Sequence, residues 1–594
     1  MRRSHFSNID FVLAAIMIAA AVVRVWGLDF GLPHPWSRPD ESIVVYMAAA
    51  VGQGGLRPFF FNYPALYPFA LAALFGLYYL LGRGFGWYSS VYDFVFEFAT
   101  DPSGFFLIDR TLSAITGVMT VFVVYRIAKR LFDGRLATVA AAYLAFAYMH
   151  VRHSHFGVTD VPMTFMIMLS LLLVIRAWES GRTRDFAWSG LAVGLAVATK
   201  YPACFLVLPA LVAHFQVSRG IRKNIPELFC HRRLLAFAAC ALAAFLVTNP
   251  YALIELPRFL DNVLIVLRQV DSPHLGVKLD RGWVYHFRFS LYYGLGWPLL
   301  AASLVGMIMA FRRDSRKALL LCTFPLVYYL VAGMGYSVFV RYIIPVVPFL
   351  CITAALATEQ VARAIGRVSR RIPPWVVTLC VTTLILIPSL YRTIRVDDLL
   401  TRTDSRLLAT ARATDLMPPG ASVYQTYAIV GALQLNPGQY FLERYRRNQV
   451  VADDQGSDGM TNTLTRLVDS LAAIQCFRLW SYDSTTGRFL LNGLEQDGLP
   501  DYIIAQQLPL RTCRVTPGAI QKLLAVSYRV RSEIPAFDTS ADNHYDEQDH
   551  FYVPYAGFKG VERPGPNLFI YEKIETGRGD GDPNKNSRRA DSNR

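Results

Sequence analysis

The sequence predicts a polytopic α-helical membrane protein that ends in an extracytoplasmic α/β domain. Three observations predict it. Of 594 residues, 53% are hydrophobic and only 17% are charged, against about 25% charged in an average soluble domain. The apolar residues fall in long runs as far as residue 391 and then stop. The basic residues gather in short loops between those runs, which is the positive-inside pattern of cytoplasmic loops. That pattern accounts for the net charge of +15, so a lipid bilayer is the expected partner and nucleic acid is not.

The first apolar run, Phe11–Trp26, follows Arg2 and Arg3. A cleaved signal peptide begins in the same way, but many spans follow and no clear cleavage site stands out, so an uncleaved first span is expected. Runs such as Leu234–Val247 and Val376–Leu390 approach, with their flanks, the roughly 20 residues that cross a bilayer. Spans are assigned near 9–28, 109–128, 135–151, 160–178, 186–199, 201–218, 234–252, 291–311, 318–333, 342–358 and 374–391. As one helix, 186–218 would be about 50 Å long, too long for a hydrocarbon core of about 30 Å. Lys200-Tyr201-Pro202 lies at its middle, and proline disfavours helix at the residue before it. Two spans joined by a tight turn are therefore expected.

Segment 64–82 is apolar enough to cross. As a lone crossing it would put the basic loops 129–135, 181–185, 219–233, 312–317 and 363–371 all outside, against the positive-inside rule. It is expected to lie along the interface, to re-enter, or to pair with a second crossing within 88–100. The total is then about 11 to 13 transmembrane helices. Residues 29–108 form a large first external loop region, and 152–159, 252–290 and everything after 391 also fall outside.

The membrane domain is thus 1–391. Residues 392–576 have an ordinary soluble composition, with β-rich runs such as Tyr502–Ala505 and Leu568–Tyr571 and helical stretches such as Thr463–Gln475. The last stretch, 577–594, rich in Gly, Asp, Asn, Arg and Ser, is expected to be disordered. Of eight cysteines, those in or beside the apolar runs lack metal-type spacing. Cys476 and Cys513 in the outer domain are read either as a disulfide or as two unpaired thiols.

Three groups of residues have the chemistry of a site. Asp40 and Glu41, in Arg38-Pro39-Asp40-Glu41 just beyond the first span, suit a general base or a metal ligand. Ser37 and Asp40 also have the spacing of a capping-box variant, which would simply start a helix. His153, His155 and Asp160, in the run from His153 to Pro162, lie in the second external loop. Asp160 followed by Pro162 is equally good chemistry for a helix N-terminus, and the histidines can be plain interfacial residues. Arg110, Lys200 and Arg341 fall at the outer ends of spans, against the charge bias. Snorkelling explains any one of them; three together suit a lipid phosphate, which arginine binds bidentately.

These motifs, in this order, resemble those of GT-C fold membrane glycosyltransferases. The closest branch is the dolichyl-phosphate-mannose protein mannosyltransferases and lipid A aminoarabinose transferases. Arg38-Pro39-Asp40-Glu41 and Asn62-Tyr63-Pro64-Ala65-Leu66 are similar to the first-loop signature. Arg110 to Gly117 resembles the second-span motif, and His153 to Pro162 the second-loop acidic motif. Gly194 to Tyr201 resembles the fifth-to-sixth span junction, and Arg341-Tyr342 through Pro345 to Pro348 the late Arg-Tyr motif. Arg563 to Pro566, followed by Leu568–Tyr571, resembles the closing strand of bacterial members.

The resemblance implies a GT-C-like fold and a catalytic or metal-binding role for Asp40, with Glu41 beside it and Asp160 as the second-loop acid. It implicates Arg110 at the donor phosphate; Lys200, Arg341, Tyr63, His153 and His155 are expected as further substrate contacts. In the aminoarabinose branch a lysine stands where this chain has Tyr63, so that phosphate ligand has no counterpart here. The implied function is inverting transfer of a sugar from a polyprenyl-phosphate donor to a lipid, glycan or protein acceptor, on the outer face of the cell (inner or plasma) membrane. The sequence leaves open whether a divalent metal assists. The rival from another class is a multi-pass transporter or flippase of envelope intermediates, whose charges would sit at the midplane. A non-catalytic envelope scaffold is a second.

Overall fold

The computed structural model describes residues 8–52, 57–58, 60–218, 230–368, 372–426, 430–449, 458–510 and 516–574. Arg2, Arg3, most of the basic loop 219–233, the end of the loop 363–371, Cys513 and the tail 577–594 lie outside the described residues.

Each assigned span falls on a helix. Among the described residues six helices are long and apolar enough to cross a membrane: Leu66–Phe85, Ser103–Leu131, Asp160–Ser180, Ser315–Ala332, Val340–Arg367 and the apolar part of Pro374–Leu416. Gly282–Leu295 and Trp297–Arg313, bent by 112°, make a seventh if they are one span. The remaining spans fall on shorter helices, and the chain breaks within or between them. Ala147 is extended between Gly134–Phe146 and Tyr148–Ser154. Lys200 is extended between Thr183–Thr199 and the 3-10 turn Tyr201–Leu206, where Pro202 predicts a break. Segment 64–82 forms the helix Leu66–Phe85.

Local chemistry keeps the basic loops short. The carboxylates of Asp133 and Asp314 accept first-turn amides and start the helices that follow them. Val340–Arg367 is the central element, with 94% of its apolar window buried. Trp297–Arg313 packs against it through Gly306, where a Cβ would stand 1.7 Å from the Thr353 carbonyl oxygen.

The C-terminal region contains a seven-stranded sheet. Its strands are β1 (Ser422–Gln425), β2 (Arg478–Asp483), β3 (Arg488–Leu491), β4 (Leu494–Glu495), β5 (Tyr502–Gln507), β6 (Tyr528–Ile534) and β7 (Asn567–Lys573), in the order β4-β3-β2-β1-β5-β7-β6. β1 is parallel to β2 and β5, and the other pairs are antiparallel. The parallel pairs need long crossovers, and helices such as Gln439–Gln449 and Asp458–Ala473 supply one. The β-rich runs read from the sequence fall on β5 and β7.

The two regions are not separate bodies. The helix Pro374–Leu400 runs on beyond 391. Between β6 and β7 the chain makes an excursion over 535–566, and its Phe551, Val553, Tyr555, Phe558 and Val561 join one core with Tyr148, Phe156, Leu299 and Ile344. Arg152 donates to the carbonyls of Val553 and Pro554 at 2.8 and 2.7 Å, and Tyr555 donates to that of Ser290 at 3.0 Å.

Candidate functional site

Asp40 begins the helix Glu41–Gly52, and its carbonyl accepts from the amides of Ile43 and Val44. Its φ is +71°, a conformation that non-glycine residues seldom adopt. Its carboxylate meets the Arg341 guanidinium at 2.6 Å. Ser37 Oγ donates to the His34 carbonyl and accepts from Arg110. The expected capping-box variant is therefore not what these two side chains form.

Arg341 rides on the 3-10 turn Val340–Val346 at the entrance to the central helix. Its second nitrogen donates to Asp549 at 2.7 Å. Asp549 in turn accepts two bonds from Arg38, at 3.0 and 2.7 Å. Next to this junction Lys200 donates to Asp160 at 2.6 Å. That pair joins the end of Thr183–Thr199 to the start of Asp160–Ser180. Lys200 also lies 5.8 Å over the Tyr342 ring. Asp40, Asp160 and Asp549 thus face Arg38, Lys200 and Arg341, three carboxylates against three cations.

Burial pushes the Asp40 carboxyl up, but Arg341, Arg38, Lys200 and His274 together hold it below its usual range. Burial and then Asp40 push the Tyr63 phenol well above its usual value, so its hydroxyl keeps its proton as a donor. Burial and the charges of Arg38, Arg152 and Arg341 push His153 far down, so it is neutral at pH 7. Both of its ring nitrogens are buried without a hydrogen-bond partner.

The structure therefore brings together Asp40, Tyr63, Asp160, Lys200 and Arg341, with His153 alongside. It does not bring Glu41, Arg110 or His155 to the same open face. Arg110 and Glu41 are fully buried, and every Arg110 nitrogen is engaged. Its Nε and Nη2 donate to Glu41, and its Nη1 donates to the carbonyls of Leu28 and Phe30 at 2.9 Å. The Phe30 ring lies 3.8 Å from its guanidinium carbon. The Gly157 amide donates to Glu41 at 2.8 Å. Arg110 with Glu41 thus forms a buried tie between the first loop, the second span and the second loop. His155 is spent on the carbonyls of Val151 and Trp26.

Asp549 was not singled out from the sequence, nor was Arg38 apart from its motif. The signal for Asp549 was faint: Asp546, Glu547, Gln548, Asp549 and His550 form a polar run just before the aromatic pair Phe551-Tyr552. Among the described residues four non-glycines have positive φ, and two of them, Asp40 and His550 (φ +43°), flank this ionic junction. Backbone strain of this kind collects at functional sites.

The residues present do not fit a resident divalent metal. Asp40 is held by Arg341, His153 sits in the field of three arginines, and no three His, Cys, Asp or Glu side chains among the described residues gather as a ligand set. Cys476 is an exposed free thiol.

Residues 107–249 match the family model for dolichyl-phosphate-mannose-protein mannosyltransferase. The matched segment holds Arg110, the 153–162 run and Lys200, so the resemblance read from those motifs is found again there. Over 124 residues the chain is 29% identical to YycA of Bacillus subtilis (strain 168), provisionally named a mannosyltransferase, covering 20% of this chain and 18% of that one. Over 261 residues it is 26% identical to an uncharacterized protein of Aquifex aeolicus (strain VF5), covering 41% and 48%. Each match spans less than half of the relative's own length. Among solved structures, apo ArnT from Cupriavidus metallidurans aligns over 94% of this chain and 97% of its own, at 15% identity and a TM-score of 0.49. The apo oligosaccharyltransferase of Archaeoglobus fulgidus aligns over 97% and 90%, at 12% identity and a TM-score of 0.47.

Proposed function

We propose that this chain is a membrane glycosyltransferase that moves a sugar from a polyprenyl-phosphate donor to a hydroxyl of a lipid, glycan or protein acceptor. The observation that carries the reading is the pairing of two cations, the buried Arg341 and the partly open Lys200, with two carboxylates, Asp40 and Asp160, at one end of the apolar helices. The mannosyltransferase family match over 107–249 supports the reaction class. Mannose is accordingly the first sugar to test.

A polyprenyl phosphate leaves well once its charge is neutralised, and Arg341 and Lys200 supply that. Asp160 holds Lys200 in place. The acceptor hydroxyl needs a base, and Asp40 is ionised at neutral pH because its cationic neighbours outweigh burial. The acceptor proton passes to Asp40, the acceptor oxygen bonds the anomeric carbon, and the bond from that carbon to the phosphate oxygen breaks. A single displacement inverts the anomeric centre. Tyr63, protonated, is placed to donate to the phosphate or the sugar.

The proposed site faces the outside of the cell membrane. Helix Asp160–Ser180 starts at the site and ends at the basic stretch Arg182–Arg184, which the positive-inside rule puts in the cytoplasm. The test is a transfer assay with a panel of polyprenyl-phosphate sugars, using membranes that contain or lack the protein. Protein-dependent transfer from one of them supports the proposal, and none from any donor with any acceptor class counts against it.

A further inference from the structure

Asp549 lies 511 residues from Arg38 in the chain, yet its carboxylate, 5% exposed, sits between Arg38 and Arg341. One oxygen takes Nη1 of both arginines, at 3.0 and 2.7 Å, and the other takes Arg38 Nη2 at 2.7 Å. The segment that delivers it is pinned to the strand of chain leading into Arg341. Asp546 accepts from the Val340 amide at 2.9 Å and Gln548 from the Val338 amide at 2.7 Å. Gln548 also donates to the carbonyls of Val277 and Tyr336, at 3.1 and 3.0 Å. Arg341 thus has a sealed side and an open side. On the open side, Nη2 holds Asp40, which is 24% exposed. Of the two contacts on Arg341 the one to Asp549 is the more deeply buried and its carboxylate the more heavily bonded, so the Asp40 contact is the one that gives way first.

We propose that Asp549 is a positioning residue for the donor. By holding Nη1 of Arg341 it presents Nη2 to the donor phosphate, which displaces the Asp40 carboxylate and so releases it to act as the base. The inference rests on the donor chemistry proposed above. Donor binding then precedes activation of the acceptor. The acceptor's proton goes to Asp40, its oxygen bonds the anomeric carbon, and the electron pair of the broken bond leaves on the phosphate, whose new oxyanion faces Arg341. The groups that face Asp40 are Arg38 and Tyr63 from the first loop region, Lys200 at the end of Thr183–Thr199, His274 from the outer stretch His274–Gly276, Arg341 with Tyr342 from the 3-10 turn, and Asp160. When Arg341 turns to a phosphate, Asp40 loses its strongest cationic neighbour and gains an anion, and its acid limb moves up in pH.

The test uses the full-length protein in lipid nanodiscs and sugar-free undecaprenyl phosphate as the probe. Asp549→Asn weakens binding by about tenfold or more, the effect of one charge-assisted hydrogen bond. In an Arg341→Ala background the same substitution adds no further loss. A loss of equal size in both backgrounds, or no loss in either, overturns the inference and leaves Asp549 as an interdomain tie. The second measurement needs no variant. In the wild-type protein the acid limb of kcat lies at higher pH than that of kcat/KM for donor, because the first reports the donor complex and the second the free enzyme. Coincident limbs overturn the exchange. A wild-type protein that binds no polyprenyl phosphate at all overturns the donor reading itself. That result is distinct from one in which the wild type binds and Asp549→Asn binds equally well.

Discussion

Glu41 and Asp40 are neighbours in sequence with opposite fates, and replacing Glu41 by Gln exposes the difference. Glu41 is fully buried and accepts three bonds from Arg110 and one from the Gly157 amide. Gln has the same shape but no charge, so Arg110, also fully buried, keeps only neutral partners. Breaking a buried pair by neutralising one member costs about 3–5 kcal/mol. Native stabilities run to only about 5–15 kcal/mol. The Glu41→Gln protein therefore unfolds at clearly lower temperature or denaturant concentration in detergent. The fraction that stays folded keeps a donor KM within about threefold of wild type, since the pair supports the loops without touching the open face. Unfolding is followed by fluorescence-detected size-exclusion chromatography, and donor KM is measured on the monodisperse peak. A Glu41→Gln protein of wild-type stability whose turnover falls about 100-fold, the signature of a lost acid–base group, would refute the assignment of Glu41 to support.

Native cysteines test the topology. In single-cysteine variants, the exposed Cys476 reacts with an impermeant maleimide added to intact cells, and the exposed Cys230 within the basic loop 219–233 does not; the reverse pattern inverts the sidedness of the site. Burial and the neighbouring Asp549 charge push Asp546 up to about 7. Its protonated form is therefore favoured in the folded state, and its contribution to stability falls as pH rises from about 4 to about 7 and is flat above. Asp546→Asn removes that part of the slope in thermal midpoints measured from pH 5 to 8, and an unchanged slope contradicts the assignment. Gly306→Val drives side-chain atoms into the Thr353 carbonyl and destabilises the protein by about 1–3 kcal/mol or more, read as loss of the monodisperse peak.

The helices were legible because lipid demands long apolar runs, and such runs stand out in any chain. The break at Lys200 was legible because Pro202 imposes it locally. The site was legible in part. Asp160, Lys200 and Arg341 each sit at a helix end, where sequence marks the position. Glu41 and Arg110 lie away from the Asp40–Arg341 face, because successive residues entering a helix point about 100° apart. Adjacent carboxylates therefore cannot both face the site: Asp40, turned by its positive φ, meets Arg341, while Glu41 turns inward to Arg110. Asp549 was not legible because its partners lie hundreds of residues away, and no local pattern encodes that contact. The domain boundary near 391 marks where the apolar runs stop. It is not where packing stops, since Phe551 and Tyr555 return to the helical core.

The central claim is that Asp40 and Arg341 form the reacting end of a polyprenyl-phosphate sugar transferase. The most direct measurement is the rate of sugar transfer from a radiolabelled polyprenyl-phosphate donor by purified wild-type and Asp40→Asn proteins matched for folded content. Asn keeps the size of the side chain and can still start the helix Glu41–Gly52, but it cannot take a proton. The account predicts transfer by the wild type, a fall of about 10²–10⁴ in kcat for Asp40→Asn, and donor binding that is kept or tightened because Arg341 is released. Transfer at close to the wild-type rate by Asp40→Asn would contradict it.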